Sequence, residues 1–349
     1  MRLERREFMA RAAGIGAALA VVGLALTQGA ARAEDKIYTM KISAPTINDV
    51  PDTYARYFAA ALEKDSGGRI KPEVYPASQL GSIPRQIEGT QFGAIQCAVI
   101  PPEFFVGVDE RFEVLAAPGL AESLVHGQRI AADPAVVKLM LGLGANKGLH
   151  GVGLLVSEPS EVIAKDAIRH LADFKGRKLR TFASQFQSEA WTRIGVTPVA
   201  MTLGDVLPAL QQGAIDGAVA GLGPFTHLHF HDVAKSVTMT NQPTIFVVAE
   251  VSQKWYDSLP KDLQAVVDRA GEAQTQAMEP VAREIRKNAE ATWVAQGGEL
   301  INLPAAEQAL FQKTLASVGE DVSKAKPALH EAYRIVADVA ARTRQPPSE

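Results

Sequence analysis

The sequence predicts an α/β protein whose two lobes face one another across a cleft and are joined by a long helix. With 349 residues, the chain exceeds the usual size of a single domain. Strand-like and helix-like segments alternate before and again after residues 150–164, as expected for two largely parallel sheets covered by helices. Residues 261–298 have helical periodicity over a length too great for one small lobe, so we expect this helix to bridge both lobes. Pro280 within it predicts a kink.

The individual elements follow from periodicity and from the positions of glycine and proline. Alternating apolar residues predict strands, apolar residues three or four apart predict helices, and glycine or proline marks the ends. We expect strands at 36–45, 69–76, 94–100, 150–164, 176–182, 197–201, 215–221 and from 244 onward, and helices at 52–68, 82–93, 184–195, 203–214 and 261–298.

These elements divide the chain into three parts. Residues 1–33 form an export signal, residues 34–156 with 247–280 form lobe 1, and residues 157–246 with 281–349 form lobe 2. Ligands of open α/β sheets bind beyond the carboxyl ends of the strands, so the cleft between the lobes is the predicted binding site.

The export signal is predicted from three features of the first 33 residues. A twin-arginine pair precedes an aromatic in "RREF" at 5–8, an apolar run follows at 12–27, and "ARA" at 31–33 is a small-x-small cleavage site. A membrane anchor is the alternative, but a run of this length falls short of the about 20 residues that span a bilayer. We expect the signal to be removed after Ala33 and the mature protein to be exported.

Composition and missing motifs exclude several classes of function. The formal net charge of −3 provides no basic field, which argues against a nucleic-acid partner. The single cysteine, Cys97, leaves no internal disulfide, and its apolar surroundings predict a buried, inert thiol. The sequence has no G-x-S-x-G, no H-E-x-x-H, no Walker A and no G-x-G-x-x-G that opens a helix after a strand. We therefore predict a binding protein rather than an enzyme, without a cofactor.

Arg180 is the leading candidate for a ligand contact. It lies near the end of the predicted strand 176–182, in a segment that otherwise looks buried. Guanidinium is always charged and matches a carboxylate with two parallel hydrogen bonds. A structural ion pair with a nearby Asp or Glu is the alternative, and the spacing leaves both open. Thr181 and Phe182 follow directly, and Phe182 at the strand end suits a ligand with an apolar or aromatic body.

Two further segments hold candidate site residues. In "PPEFF", Pro102 and Phe104 could wall a pocket, or could form a hydrophobic plug under a loop. His227, His229 and His231 would share one face of a strand, whereas only the first and last would share a face of a helix. A solvated or partner-facing histidine patch and a metal site are the two interpretations, and we predict no metal because few ligands accompany the histidines.

Ordered blocks of sequence resemble the solute-binding subunits of tripartite ATP-independent periplasmic (TRAP) transporters, the DctP-like family. These blocks include "GGRIKPEVYPASQLGSIPRQIEGTQFGAI", "LADFKGRKLRTF", "GVTPVAMTLGDVLPALQQGAIDG" and "KWYDSLPKDLQAVV", in order over most of residues 36–300. The resemblance implies a periplasmic-binding-protein-like fold that closes on its ligand by hinge bending. It also implies that Arg180 grips the carboxylate of a small organic acid, which is delivered to an ion-driven TRAP permease.

Departures from the family pattern suggest the kind of acid. Residues 157–164 offer Ser160 but no second arginine, and no asparagine follows "IDG". Ala220, Gly221 and Phe225 stand where polar partners of sugar acids are expected, while Asn241 keeps a Thr-Asn pair at the second crossing between lobes. We therefore expect a monocarboxylate with an apolar or aromatic body, because sugar hydroxyls would remain unpaired.

Two other functions remain open at this point. The same fold could report ligand occupancy to a membrane receptor, and the three histidines could serve a secreted metal-dependent enzyme. The short, charged C-terminal segment favours a monomer over pairing through a swapped helix. We expect a periplasmic monomer.

Overall fold

The structure, a computed structural model, describes residues 36–344. The predicted export signal and its cleavage site after Ala33 lie outside the described residues. Among residues 36–344, every helix is too short or too polar to cross a lipid bilayer.

The described chain alternates strands and helices through most of its length. The strands are β1 (Tyr38–Ser43), β2 (Ile70–Tyr75), β3 (Cys97–Ile100), β4 (Leu149–Pro159), β5 (Glu161–Ala164), β6 (Lys178–Thr181), β7 (Thr197–Ala200), β8 (Gly217–Ala220), β9 (Ser236–Met239), β10 (Thr244–Ser252) and β11 (Glu299–Asn302). The α-helices are α1 (Val50–Asp65), α2 (Ile83–Phe92), α3 (Leu124–Ala132), α4 (Pro134–Gly142), α5 (Gln185–Arg193), α6 (Leu203–Gln212), α7 (Leu222–His227), α8 (Gln253–Ser258), α9 (Lys261–Ala295), α10 (Ala305–Leu315), α11 (Val318–Ser323) and α12 (Pro327–Thr343).

Each lobe is built around one sheet, which confirms the predicted α/β architecture. The first sheet has the strand order β2-β1-β3-β10-β4, and the second has the order β11-β9-β5-β8-β6-β7. The expectation of largely parallel sheets was only partly right. β10 is antiparallel to both of its neighbours, and β5 is antiparallel to β8 and β9, because these strands carry the chain from one lobe to the other. β1–β2–β3 and β6–β7–β8 are parallel.

The chain passes between the two sheets at adjacent places. Only Ser160 separates β4 of the first sheet from β5 of the second. The return passes through residues 240–243 into β10, and the Ser160 backbone N–H donates to the Pro243 carbonyl at 2.9 Å. The single strand predicted at 150–164 is therefore two strands in two sheets, because the chain changes lobe at this point. Two neighbouring strand crossings of this kind suit hinge motion between lobes.

Helix α9 extends over 35 residues and contacts both lobes. Leu263, Val267 and Ala270 in its first half pack into the core of the first lobe, whereas Ala289 and Trp293 pack into that of the second. The helix continues through Pro280. The bridging role predicted from its length is confirmed.

The lobe boundaries at 156/157, 246/247 and 280/281 stay a prediction. The structure adds one observation at the C-terminal end, where α12 packs against α3 and α4. Leu329, Val336 and Val339 of this helix are buried in a core cluster. The same cluster contains apolar residues from strands of both sheets. Cys97 is buried as a free thiol in β3.

Candidate functional site

A cavity lies where the two sheets approach each other near the strand crossings. The space that is open to the centre of a water molecule is about 40 Å³, and the cavity is partly open to solvent. Most of its wall is apolar, with a few polar groups, the composition expected of a small-molecule site. The lining residues are Pro45, Thr46, Asp49, Pro51, Ile83, Pro101, Phe104, Ser157, Glu158, Arg180, Phe182, Leu203, Ala220, Gly221, Pro224, Ile245 and Val247.

Arg180 reaches this cavity from the carboxyl end of β6. Its strand is paired on both sides, with Val199 of β7 and Ala218 of β8, so the backbone of Arg180 is fully enclosed. The side chain is 1% exposed; Nε donates to the Met201 carbonyl at 2.9 Å and Nη1 to the Val219 carbonyl at 2.8 Å. These bonds orient the guanidinium, and no described residue engages Nη2 or forms an ion pair with the group.

The charge on Arg180 is therefore uncompensated by a direct partner. Burial lowers the pKa of Arg180 to about 9, and the charge of Glu103 acts in the opposite direction. A buried cation without a counter-ion is costly, so an anionic ligand placed against it would gain a strong, charge-assisted interaction. Within residues 36–344, the alternative of a structural ion pair is not supported.

Two phenylalanines form the apolar wall beside this guanidinium. The Phe182 ring lies under it, with the guanidinium carbon 4.7 Å from the ring centroid, a cation–π distance. Phe104 approaches from the first lobe, with its ring centroid 5.2 Å from that of Phe182. The two rings therefore meet across the cleft, and a ligand held by Arg180 would contact them.

Asp49 and Glu158 bring two carboxyl groups to the same cavity. Asp49 caps the N-terminus of α1, where its side chain accepts from the Asp52 N–H at 3.3 Å. Glu158 lies near the end of β4, and its Oε2 accepts from the Gly223 N–H at 3.2 Å. A Cβ at Gly221 would overlap the Glu158 carboxylate, so glycine is required there for this carboxyl to reach the cavity. Burial raises the pKa of each acid to about 7.

Replacing Asp49 with asparagine is expected to stabilise the protein at pH 8 but not at pH 5. Between the ordinary pKa of 3.8 and about 7, this carboxyl is protonated in the folded state and ionised in the unfolded state. Stability therefore falls as pH rises through this window, and a neutral amide removes that fall. We expect a gain of about 1–2 kcal/mol at pH 8, since asparagine is an equally good N-cap. Thermal unfolding of both proteins from pH 5 to 8 measures it.

Asp133→Asn is the matched control, because Asp133 caps α4 but also binds Arg342, with Oδ2 2.5 Å from Nη2. This change removes an ion pair and should give no gain. Parallel pH profiles for Asp49→Asn and the unchanged protein would contradict the assignment of a neutral, buried Asp49 below pH 7.

Arg286 of α9 connects the strand crossing to the long helix. Its Nη2 lies 2.7 Å from Glu161 Oε1, its Nη1 lies 3.8 Å from Glu158 Oε2, and its Nε lies 2.6 Å from Glu290 Oε1. Glu161 is fully buried, and burial raises its pKa to about 7 although Arg286 acts to lower it. Glu161 Oε2 also accepts from the Asn241 N–H at 3.0 Å. This cluster therefore joins both strand crossings and the helix at one point.

The structure places half of the sequence-predicted contacts on the cavity wall. Arg180, Phe182, Phe104, Ala220 and Gly221 line it. Each of these residues comes from the end of a strand or the turn after it, as the rule for open α/β sheets predicts.

The other predicted contacts do not line the cavity. Phe225 packs on Phe230, with ring centroids 5.3 Å apart, and Pro224 lines the wall in its place. Asn241 is exposed, and its Nδ2 donates to the Met239 carbonyl at 3.3 Å. Pro102, Thr181 and Ser160 are buried beside the cavity without lining it.

Asp49 and Glu158 are the functional candidates that the sequence analysis missed. Asp49 precedes the predicted helix 52–68 and was not considered as a candidate. Glu158 looked like the break in a long strand. A carboxylate within the apolar run "GVGLLVSEP" was the available signal, since a charged residue in a buried strand requires a partner or a function.

The histidine segment does not form the arrangement considered from sequence. α7 ends at His227, whose Nδ1–H donates to the Gly223 carbonyl at 3.0 Å. His229 adopts a left-handed backbone conformation, so the chain turns and groups His229 and His231 with Asp232 instead. Their ligand atoms lie within 4.8 Å of one another. The three-histidine site of the metal-dependent alternative is therefore not assembled.

Comparison with known proteins identifies the family. Residues 45–325 match the family described as DctP, bacterial extracellular solute-binding protein, family 7. The chain belongs to this family. It is 26% identical over 273 residues to the C4-dicarboxylate-binding periplasmic protein DctP of Rhodobacter capsulatus, which covers 77% of this chain and 81% of that protein. The resemblance to TRAP solute-binding subunits is thereby confirmed.

Solved structures of DctP-family proteins share the fold. A TRAP periplasmic solute-binding protein from Desulfovibrio salexigens with bound orotic acid superposes with a TM-score of 0.82 at 20% identity, covering 88% of this chain and all of that one. One from Shewanella oneidensis with bound succinate gives a TM-score of 0.81 at 20% identity and the same coverage. These likenesses confirm the two-lobed periplasmic-binding-protein architecture.

Proposed function

We propose that this protein captures a small organic monocarboxylate with an apolar or aromatic body and delivers it to an ion-gradient-driven TRAP permease. The observation that carries the proposal is the buried Arg180 guanidinium, which lies on an interlobe cavity and has no ion-pair partner among residues 36–344. Two hydrogen bonds to backbone carbonyls hold it in place, so a carboxylate binds without reorganising the site.

The apolar character of the ligand body rests on the cavity wall. Phe104 and Phe182 stand beside the guanidinium, and Ile83, Leu203 and Val247 complete the wall. Ala220 and Gly221 offer no side-chain hydrogen bond. Hydroxyl groups of a sugar acid placed against these apolar residues would remain unpaired, at a cost of about 1–3 kcal/mol each. Relatives of this fold have been solved with galacturonate, succinate and orotic acid, so the fold itself accepts acids of several kinds.

Binding would be coupled to closure of the lobes. Residues of the first lobe, such as Phe104, and of the second, such as Arg180 and Phe182, wall the same cavity. Only the closed arrangement brings them together, so a ligand that contacts both shifts the equilibrium towards closure. We further propose export by the twin-arginine route, cleavage after Ala33 and function as a periplasmic monomer without enzymatic activity. The family membership supports transport, and the signal motifs support export.

A thermal-shift screen of the chain from Glu34 onward tests the proposal. The panel contains aromatic, branched-chain, keto, dicarboxylic and sugar acids, each beside its amide. A ligand at 100 times its Kd adds about 2.7 kcal/mol to the free energy of unfolding, which is readily measured. We expect a shift with an apolar or aromatic monocarboxylate that disappears with its amide. Tight binding of a sugar acid with none of aromatic acids would contradict the ligand class. If no acid of the panel shifts the melting temperature, even after refolding from denaturant to remove any copurified ligand, carboxylate binding is contradicted.

A sensing role is the remaining alternative, since both roles need a surface that differs between open and closed lobes. Reconstituted TRAP permease subunits distinguish them. We expect ligand-loaded protein to support uptake into proteoliposomes, whereas absence of uptake with a known ligand would favour a receptor partner.

A further inference from the structure

The cavity has a second polar region apart from Arg180, and it is acidic. Asp49 comes from the start of α1 and Glu158 from the end of β4, yet both approach the same backbone position. A Cβ at Gly223 would lie 3.3 Å from Asp49 Cβ and 3.0 Å from Glu158 Oε1. The charge of Glu158 also acts on Asp49. Two carboxyl groups from distant parts of the chain therefore share one corner of the site.

This acidic corner does not serve to neutralise Arg180. Neither carboxyl forms an ion pair with that guanidinium within the described residues, and Glu103 is the acid whose charge acts on it. Glu158 Oε2 lies 3.8 Å from Arg286 Nη1, while Asp49 accepts a hydrogen bond from the Asp52 N–H and has the Thr46 side chain as a neighbour. The cavity thus has one cationic and one anionic pole.

A buried hydroxyl beside this corner also lacks a partner. Thr46 is 5% exposed and lines the cavity, and its Oγ1 forms no hydrogen bond that satisfies normal geometry among residues 36–344. Buried polar atoms in folded proteins are nearly always hydrogen-bonded, so an unpaired one on a cavity wall indicates a place for a ligand's polar group. Thr46 neighbours Asp49, so this hydroxyl belongs to the same corner as the two acids.

We propose that the ligand carries a positively charged nitrogen with N–H donors at the end away from its carboxylate, and that Asp49 and Glu158 bind this nitrogen. The ligand is then a zwitterion: its carboxylate lies on Arg180, its short apolar body lies against Phe104 and Phe182, and its ammonium or amidinium group lies in the acidic corner. The inference rests on the proposed function, since Arg180 must hold the carboxylate. It deepens that function by naming the second recognition group.

The chemistry of the corner favours a cation over other groups. Ionised carboxylates accept hydrogen bonds and donate none, so they select a group that only donates. A second carboxylate at this end would be repelled by both acids, which excludes dicarboxylates. Burial raises the pKa of Asp49 and Glu158 to about 7, and a bound cation would favour their ionised forms.

This linkage predicts how binding changes with pH. The groups that face the corner are Asp52, Glu161 and Arg286, besides the two acids themselves. Because the ionised acids bind the cation, the affinity for an ammonium-bearing acid rises as the pH increases from 5.5 to 8. An apolar acid of the same size has no such group, so its affinity does not rise over this range.

Matched pairs of probes test the inference by isothermal titration calorimetry. In each pair an ammonium replaces a methyl group of equal size: 5-aminopentanoate with hexanoate, and 4-(aminomethyl)benzoate with 4-ethylbenzoate. In the unchanged protein at pH 8 we expect the ammonium member of at least one pair to bind about tenfold more tightly or better, as one charge-assisted contact provides. Asp49→Asn and Glu158→Gln should each reduce this preference to less than about threefold.

Glu250→Gln is the control variant. Glu250 is a fully buried carboxyl in β10 that does not line the cavity, so its replacement should leave the preference and its pH dependence unchanged. Equal or tighter binding of the apolar members, or a preference that survives both cavity variants, overturns the inference while carboxylate binding and the proposed function stand. If no member of either series binds and no acid of the wider panel does, both are overturned.

Discussion

Replacing Arg180 with lysine is expected to weaken ligand binding by roughly a hundredfold, about 3 kcal/mol, while leaving the fold intact. Lysine keeps the positive charge but cannot form two parallel hydrogen bonds to a carboxylate. It also cannot hold the carbonyls of Met201 and Val219 in the same geometry, so the charge would lose its fixed orientation. Titration calorimetry with the acid found in the thermal-shift screen measures the effect.

Arg169→Lys is the matched control for this experiment. Arg169 is exposed and forms a two-bonded ion pair with Glu299, with Nη1–Oε1 at 2.7 Å and Nη2–Oε2 at 2.8 Å. It has the same chemistry away from the cavity, so its change should not alter affinity. If Arg180→Lys keeps both its melting temperature and its affinity, Arg180 does not bind the carboxylate.

Replacing Arg286 with methionine is expected to destabilise the protein by about 3–5 kcal/mol, because it leaves buried carboxylates without their cation. Glu161 and Glu158 are 0% and 5% exposed, and Arg286 is their ion-pair partner in the structure. A loss of this size lowers Tm by on the order of 10 °C. The loss should be smaller at pH 5 than at pH 8, since burial raises the pKa of both acids to about 7 and protonation then removes the uncompensated charge.

A double variant and a control variant at a neighbouring arginine test whether the loss of stability comes from the buried cluster. Adding Glu161→Gln to Arg286→Met should recover part of the lost stability, because one buried charge is removed together with its partner. Arg283→Met lies on the same helix, but Arg283 is exposed and pairs with Glu279 one turn away, so it should cost less than about 0.5 kcal/mol. Equal losses for Arg283→Met and Arg286→Met would contradict the importance of the buried cluster.

Most elements of the fold could be predicted because their signals are local. The helix predicted at 52–68 is α1, Val50–Asp65, and its buried Tyr54, Phe58 and Leu62 follow at four-residue spacing. The bridging helix was evident from its length. The strand-like segment predicted at 150–164 is interrupted in sequence at Glu158-Pro159, and only pairing in two sheets shows that it divides at Ser160.

The roles of the candidate site residues stay a prediction, but a residue that is unusual for its segment could be located from sequence. Arg180 is a charged residue in a buried strand, which is visible in sequence, and it lies on the cavity wall. Asn241 was placed at the site by analogy alone. Asn241 has a left-handed backbone conformation, with φ of 55°. Its side chain donates to the Met239 carbonyl and does not line the cavity. Phe225 is buried in a core cluster of the second lobe, and the adjacent Pro224 lines the cavity.

The family, the α/β elements and the bridging helix could be recognised from sequence alone, and so could Arg180 as a candidate ligand contact. Each of these depends on local periodicity, on an ordered series of motifs or on one residue that is unusual for its segment. The tertiary structure alone decided that Asp49 and Glu158 meet at Gly223, and that Arg286 joins the strand crossing to α9. Gly223 lies 65 positions after Glu158 and 174 positions after Asp49 along the chain. Such contacts arise only when strands cross between lobes, because no local pattern encodes which distant side chains share a buried space.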